Sequence, residues 1–558
     1  YIYNKVYIDA FNAVSQGSGR TYPDARAKMF HSLSEGVVWW NYTGHASPNG
    51  WTGEGLLTSP DVSNNLFYKR LPILYAATCE FTRFDALNLS GGEKMFLNGQ
   101  GGAIALICPP RLVYITQNGD LHKRVAKYTF ARDAEGMPHR LGDILRWGKN
   151  DYRKATSAGH EDNNMRYFLF GDPAMRPAFA PLKIKVESIN GQQLSEDNKP
   201  EFKARQTLTF AGKVTDSKGN KVDFNGPVIA TLYDCEQSVL SHGYGDGGEE
   251  YTYLDRPNKL AVKVDTVKNG DFSFKVTVPS EILATFDNYS PSLINLYAYD
   301  NSQTSNVKFN GGSREAMGSN SQFYIYGYDD TVVPDTIGPN IEMMVLNGEE
   351  FKDGDLVNES PLLMARVSDE SGINLSSSGI GHAITLTIDD KTTIDDLSAY
   401  FSPINTDNEN GSAGNINYQL SDLDPGAHTL KLKVWDVFNN SSSKTINFTV
   451  IRGMKPDLYD VYCDANPAST SANFYLKHNR PDATVTVGID IYNLLGQLVW
   501  TATQTGRSDS GTSFPVTWNL TDMNGNRVQR GIYIYRARIS TDGIQEATKA
   551  KKIAVTAQ

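Results

Sequence analysis

Cysteine is scarce in this chain: Cys79, Cys108, Cys235 and Cys463 are the only four in 558 residues, far apart and without a CxxC pair. That spacing specifies neither a zinc site nor a disulfide framework. No apolar run approaches the roughly 20 residues that span a bilayer as a helix. Nor is there a Lys/Arg-rich segment. With 53 basic and 63 acidic side chains the net charge is −10, which argues against a nucleic-acid partner. An initiator Met and a signal sequence are absent too. The chain opens on "YIYNKVYIDAF", alternating like a strand already under way, so Tyr1 is expected to be a cut into a longer protein, and an upstream signal peptide stays open.

What is present points to several domains, about three to five for this length. Residues 1–181 alternate short apolar runs with helical stretches, the pattern of a parallel sheet covered on both faces. The expected strands are "GVVWWNY" (36–42), "PILYAAT" (72–78), "GAIALI" (102–107) and "RYFLF" (166–170). Ser59-Pro60-Asp61 is a helix-start signal, and Ser90 with Glu93 has capping-box spacing. "GDLHKRVAKYTFA" and "HRLGDILRWG" predict two later helices. Beyond "GDPAMRPAFAP" the helical period almost vanishes. Period-2 runs divide into three expected β-sandwich modules, 182–335, 336–455 and 456–558, and Tyr (29) outnumbering Phe (24) suits them. The predicted fold class is therefore multidomain, α/β followed by all-β.

The chemistry concentrates near "WWNYTGHASPNGW" (39–51). Ligands of an open parallel sheet sit outside the carboxyl ends of its strands. His45 follows the first of these strands and Cys79 directly follows the next, a separation that suits one strand–helix–strand unit. A thiolate nucleophile with an imidazole base is the chemistry this pair offers. The N–H of Cys79, with one from the Gly44–Ala46 turn, could receive a developing oxyanion. Against this stands the plain alternative of a small buried Cys and a turn His.

Other residues have plainer readings. Cys108 is expected to be buried packing. Glu54 and Trp51 could wall a cleft, with a solvated turn at least as good a reading. Arg83 and Arg111 are expected in structural ion pairs, and His382 in "GIGH" is expected to be structural. The acidic loop "GYGDGGEE" (243–250) could hold Ca²⁺ through carboxylates, but its spacing matches no EF-hand and an exposed loop is preferred. No other metal or cofactor set is expected.

The motifs "NYTGHASPNGW", "LPILYAATCEFTRFD", "GGEKMFLNGQGGAIALICPPRLVY" and "YFLFGDPAMRPA" resemble, in order and spacing, the gingipain-like cysteine peptidases. The resemblance implies a caspase-like fold for residues 1–181, as the C-terminal part of the peptidase domain, and immunoglobulin-like sandwiches after it. It implies Cys79 as nucleophile, His45 as general base or acid, and an oxyanion hole from the N–H groups of Cys79 and Ala46. Two departures stand out. The family usually has Gly where this chain has Ala46, and its His-orienting acid lies upstream of this chain, leaving Asp9 as the only nearby candidate.

The stretch from "FKARQTLTFAGKVTDSKGN" through "VKNGDFSFKVTVP" to "DESGINLSSSGIGH", residues 202–382, resembles the long β tail of the C-terminal signal peptidase of type IX secretion, and "IYNLLGQLVW" through "KKIAVTAQ" looks like a type IX sorting domain. This implies an enzyme that removes sorting domains from cargo proteins at the extracellular face of the outer membrane and passes them, sortase-like, to anionic lipopolysaccharide. The implied partners are a PorV-like outer-membrane β-barrel shuttle, docked through 456–558 with "RGIYIYRARI" as the pairing edge, and the other subunits of the attachment complex. A secreted gingipain-type endopeptidase and a non-catalytic surface adhesin are the alternatives. A cargo protease is expected to lose its sorting domain on export, so its retention to Gln558 favours the resident enzyme.

Overall fold

The computed structural model describes residues 3–556 apart from 17–18, 65, 67–69, 100, 156–160, 245–247, 285–288, 301–313, 377, 380, 407–410, 482, 509–510 and 542–543. The chain divides into two compact units. One comprises residues 1–204, 208–275 and 283–327, the other 205–207, 276–282 and 328–558.

The α/β layer of the first unit is a four-stranded sheet in the order β1 (Trp39–Thr43), β2 (Ile73–Ala77), β3 (Ala105–Cys108), β4 (Phe168–Phe170). Strand β2 is buried throughout, and its side chains alternate between two cores. Leu74 and Ala76 join Trp40, Tyr42, Trp51 and Leu106. Ile73, Tyr75 and Ala77 join Ile107, Leu121, Val125 and Ile144. A strand buried on both faces needs this uninterrupted apolar run, because each side chain meets a core whichever way it points.

Helices cover both faces. On one side α1 (Pro23–Glu35) contributes Ala25, Met29 and Leu33, and α3 (Gly91–Phe96) contributes Met95. Pro23 occupies the first turn of α1, and Gly36 at φ +100° ends it where a Cβ would meet the Arg70 side chain at 2.7 Å. The capping box of α3 is present as predicted: Glu93 N–H donates to Ser90 Oγ at 3.4 Å, and Ser90 N–H to Glu93 Oε2 at 2.9 Å. The short helix α2 (Ser59–Asn64) starts at the predicted signal. On the other face α4 (Ile115–Thr129) and α5 (Leu141–Ala155) pack closely, since Gly148 leaves no room for a Cβ, which would lie 2.6 Å from Val125 Cγ2. The five-residue helix α6 (Glu161–Met165) precedes β4.

One expectation is corrected here. Strands β1, β2 and β3 are parallel, but β4 pairs with β3 antiparallel, Cys108 opposite Phe168 and Leu106 opposite Phe170. It is an edge strand with Phe168 exposed, so its apolar run does not signal burial on both faces.

After residue 181 the described regular structure is β-strand apart from one short 3-10 turn, Ser398–Tyr400. Most strands of residues 182–320 form one mixed sheet with an antiparallel majority, while Glu201–Ala204 and the Gln237–Leu240 and Thr252–Asp255 pair stand in separate two-stranded sheets. Residues 340–450 form a four-stranded and a five-stranded sheet, and residues 458–555 a three-stranded and a four-stranded sheet. The last pair encloses a core that includes Phe474, Trp518 and Tyr535. The strand Gly531–Thr541, which holds "RGIYIYRARI", lies between Thr484–Tyr492 and Ile544–Val555. Both its backbone edges are filled, so it cannot be the pairing edge expected from its aromatic content.

Candidate active site

The parallel register of β1 and β2 positions the two candidate catalytic residues. Trp39 is opposite Ile73 and Thr43 opposite Ala77, and the Gly44 N–H continues the ladder to the Ala77 carbonyl at 3.4 Å. His45 and Cys79 each stand two residues beyond this last pair, so they leave the sheet at matching positions on its carboxyl edge.

The turn carrying His45 is built from its own aromatics. Tyr42 stacks on Trp51 with ring centroids 3.9 Å apart at 7°, and its hydroxyl donates to the His45 carbonyl at 2.6 Å. Burial raises the Tyr42 hydroxyl far above the ordinary phenol range, so it acts as a neutral donor. Gly44 makes this fold-back feasible, since a Cβ there would lie 2.7 Å from the Tyr42 oxygen. The Thr52 N–H also donates to the His45 carbonyl, at 2.9 Å, which pins the backbone and leaves the imidazole exposed. Trp51 is 1% exposed and also touches Trp40 and Phe81, so it is core rather than a cleft wall. Glu54 is half-buried and near Tyr42 and Tyr22.

Ala46 sits in a two-residue strand opposite Trp51 and is absent from the positive-φ residues. Its backbone is one that any L-residue adopts, which answers the query raised by a Cβ at this position. Asp9 does not orient His45. Its carboxylate accepts the N–H groups of Gly243 at 2.9 Å and Tyr244 at 2.8 Å, tying down the 241–244 loop. Among the described residues no carboxylate meets the His45 ring.

Cys79 is half-buried, and among the described residues both polar contacts of its sulfur are to Val113. The Val113 N–H donates to Sγ at 3.4 Å, and the thiol faces the Val113 carbonyl at 3.6 Å. Among the described residues no acceptor takes the Cys79 N–H. Glu80, next in the chain, has φ +51°, and its N–H donates to the Arg111 carbonyl at 3.4 Å. Arg111 forks onto Asp85, with Nη1 2.9 Å from Oδ1, and Arg83 pairs with Glu80 at 3.3 Å, so both arginines are in the expected ion pairs. Cys108 is fully buried, and burial pushes its thiol up to about 12, which suits packing. Val113 and its supports had no signal in the sequence beyond "PPRLVY".

Of the calcium loop, residues 245–247 lie outside the described residues. Elsewhere Asp335, Asp369 and Asp436, all in the second unit, bring carboxylate oxygens within 4.8 Å of one another, a group the sequence reading missed. His382 is structural as expected, with Nδ1 2.8 Å from Glu281 Oε1 and its ring against Trp435.

Residues 1–178 match the family model of Peptidase family C25, and this part of the chain is gingipain-like. The chain is also PorU-like: it is similar to dimeric latent PorU from Porphyromonas gingivalis, at 32% identity over 82% of this chain and 41% of that one, with a TM-score of 0.33. It thus spans less than half of that protein's length. Similarity extends to the complex of the pro- and mature domains of RgpB from Porphyromonas gingivalis, at 15% identity over 54% of this chain and 57% of that one, TM-score 0.26. No curated protein matches.

Proposed function

We propose that this chain carries the catalytic pair of a cysteine endopeptidase with a caspase-like α/β layer. The observation that supports the reading most is the β1–β2 register, which releases His45 and Cys79 at matching positions on one sheet edge. In the proposed reaction His45 takes the thiol proton and the Cys79 sulfur attacks the scissile carbonyl carbon. The oxyanion forms against the N–H groups of Cys79 and Ala46. Collapse expels the amine, which takes the proton from His45, and leaves a thioester on Cys79. Water or an amine acceptor then attacks that thioester, giving hydrolysis or transfer.

The likeness to PorU supports a narrower reading: removal of C-terminal sorting domains from cargo, with transfer to an amine on anionic lipopolysaccharide at the outer-membrane surface. Among the described residues no helix is long and apolar enough to cross a membrane. A docked position on a β-barrel shuttle, through residues 456–558, would hold the enzyme there. Leu498–Arg507 is an edge strand of the four-stranded sheet, flanked by exposed Leu494 and Leu495, and we assign the docking role to its stretch beyond Val499, whose carbonyl accepts the Met523 N–H, instead of to Gly531–Thr541. Incubation with a sorting-domain cargo and a small amine tests the activity. A new carboxyl end bearing the amine supports transfer, a free carboxylate supports hydrolysis alone, and uncut cargo rejects the reading. Deleting residues 456–558 should release a folded, thiol-reactive protein from the cell surface, and surface retention of that variant would reject docking through this module.

A further inference from the structure

Val113 turns both its N–H and its carbonyl to the Cys79 sulfur, and the two peptide groups that carry them are gripped at their other ends by α6 and the residue after it. The Tyr114 N–H donates to Asn163 Oδ1 at 2.8 Å, and the Arg166 guanidinium donates to the Leu112 carbonyl. Asn163 and Arg166 are three residues apart, so one turn of chain holds both flanks of Val113. Asn163 is only 3% exposed and is itself fixed, since its Nδ2 donates to Asn118 Oδ1 at 3.0 Å in the first turn of α4. Upstream, Pro109 and Pro110 restrict the backbone, and the Arg111–Asp85 pair ties the segment to the loop after Cys79. A backbone segment braced at so many points holds its remaining N–H in a set direction, and that direction is the sulfur.

We infer that Asn163 and Arg166 are positioning residues for the Cys79 nucleophile, acting through the Val113 peptide. The inference rests on the reading of Cys79 as nucleophile. An N–H bond to sulfur strengthens when the sulfur is charged, whereas the thiol-to-carbonyl contact is lost with the proton. Once the proton leaves, the Val113 N–H alone holds the sulfur; Arg166 holds the peptide that carries this N–H, and Asn163 holds the next peptide, fixing the Val113 backbone from its other side.

The test is the rate of alkylation by iodoacetamide at pH 7, followed at each cysteine by peptide mass mapping of the whole chain. Cys463, half-buried in the other unit, serves as the internal reference. Asn163→Ala should slow alkylation of Cys79 about tenfold relative to Cys463, the size expected for losing one hydrogen bond to a charged group. Asn163→Asp, which keeps an acceptor for the Tyr114 N–H, should restore most of the rate. Arg166→Met, at a less buried site, should slow it about threefold and carries the test if Asn163→Ala does not fold. An unchanged or faster Cys79-to-Cys463 ratio in the folded variants overturns the inference. Failure of the peptidase reading would show differently, as wild-type cleavage by Cys79→Ala, because alkylation needs no substrate turnover.

Discussion

The Cys79 sulfur lies against the Val113 peptide, 3.4 Å from its nitrogen and 3.6 Å from its oxygen, in a segment 34 residues further along the chain. The proposed nucleophile is therefore placed by backbone, and its proposed base stands at the end of the neighbouring parallel strand. Each half of the pair has its own support: Val113 for the sulfur, and Tyr42 with Thr52 for the His45 carbonyl.

His45→Ala should lower the cleavage rate by roughly 10²–10⁴-fold, the usual worth of a positioned acid–base group. Stability should change little, because the imidazole is exposed and the turn is held through its carbonyl, which alanine keeps. Thermal unfolding alongside peptide cleavage checks both halves. A variant that unfolds early, with cleavage intact, would make His45 a turn residue only.

Ala46→Gly should leave the cleavage rate within about twofold, because Ala46 already holds an extended conformation and needs no glycine. Its cost should appear in stability, about 0.5–1 kcal/mol from added backbone freedom in the unfolded chain. Denaturant titration measures the second effect. A several-fold rise in rate would mean that the Cβ holds the oxyanion donor out of line.

Asp61 links α2 to α1 by accepting from Arg26 Nη1 at 2.8 Å, and it also accepts the Thr58 N–H at 2.7 Å. Burial alone would raise its carboxyl, but hydrogen bonds from Arg26 and Thr58 outweigh burial and hold it at about 2. A depressed carboxyl contributes stability above its ordinary value near 4, and that contribution is lost as pH falls through about 2. Asp61→Asn should therefore destabilise by about 1–2 kcal/mol at pH 7, allowing for the part-exposed Arg26. The difference from wild type should shrink as the pH drops below 4. Urea melts at pH 7 and pH 3 check this, and an equal loss at both values would contradict the ion-pair account.

Asp369 shows the opposite sign. Burial, with the Asp436 and Asp335 carboxylates nearby, pushes it up to about 6 despite N–H bonds from Gly372 and Ser371. A raised carboxyl loses stability as pH rises from about 4 through 6. Asp369→Asn keeps an acceptor for both N–H groups and removes one charge, so it should stabilise by about 1–2 kcal/mol at pH 7 and be nearly neutral at pH 4. Melting temperatures at the two pH values decide. Destabilisation at pH 7 would show that the charge itself is needed there.

The parts of the fold readable in the sequence are those in which side-chain type dictates the element. Buried β2 is apolar at every position, and Ser90 with Glu93 caps α3, so both carried their own signals. Helix α4 starts four residues earlier than predicted because Tyr114, at its N-cap, makes no side-chain capping bond. The direction of β4 was hidden, since an apolar run looks the same parallel or antiparallel. The centrality of Gly531–Thr541 was hidden for a related reason: aromatic content does not say which strands lie alongside. In the candidate site, the placement of His45 and Cys79 at one sheet edge was legible through their position after apolar runs. Val113 was not, because a backbone N–H and carbonyl do the work and any side chain supplies those. Asn163 and Arg166 reach it by hydrogen bonds across 49 and 54 residues, and neither has a motif around it.

The central claim is that Cys79 is the nucleophile, and the most direct measurement is the mass of its peptide during turnover. The protein is mixed with a peptide spanning a sorting-domain junction, quenched in acid within seconds, digested and mapped. The Cys79 peptide should gain the mass of the amino-terminal cleavage fragment, hydroxylamine should remove it, and Cys79→Ala should fold normally but form no adduct and no product. Cleavage by Cys79→Ala at the wild-type rate would contradict the claim.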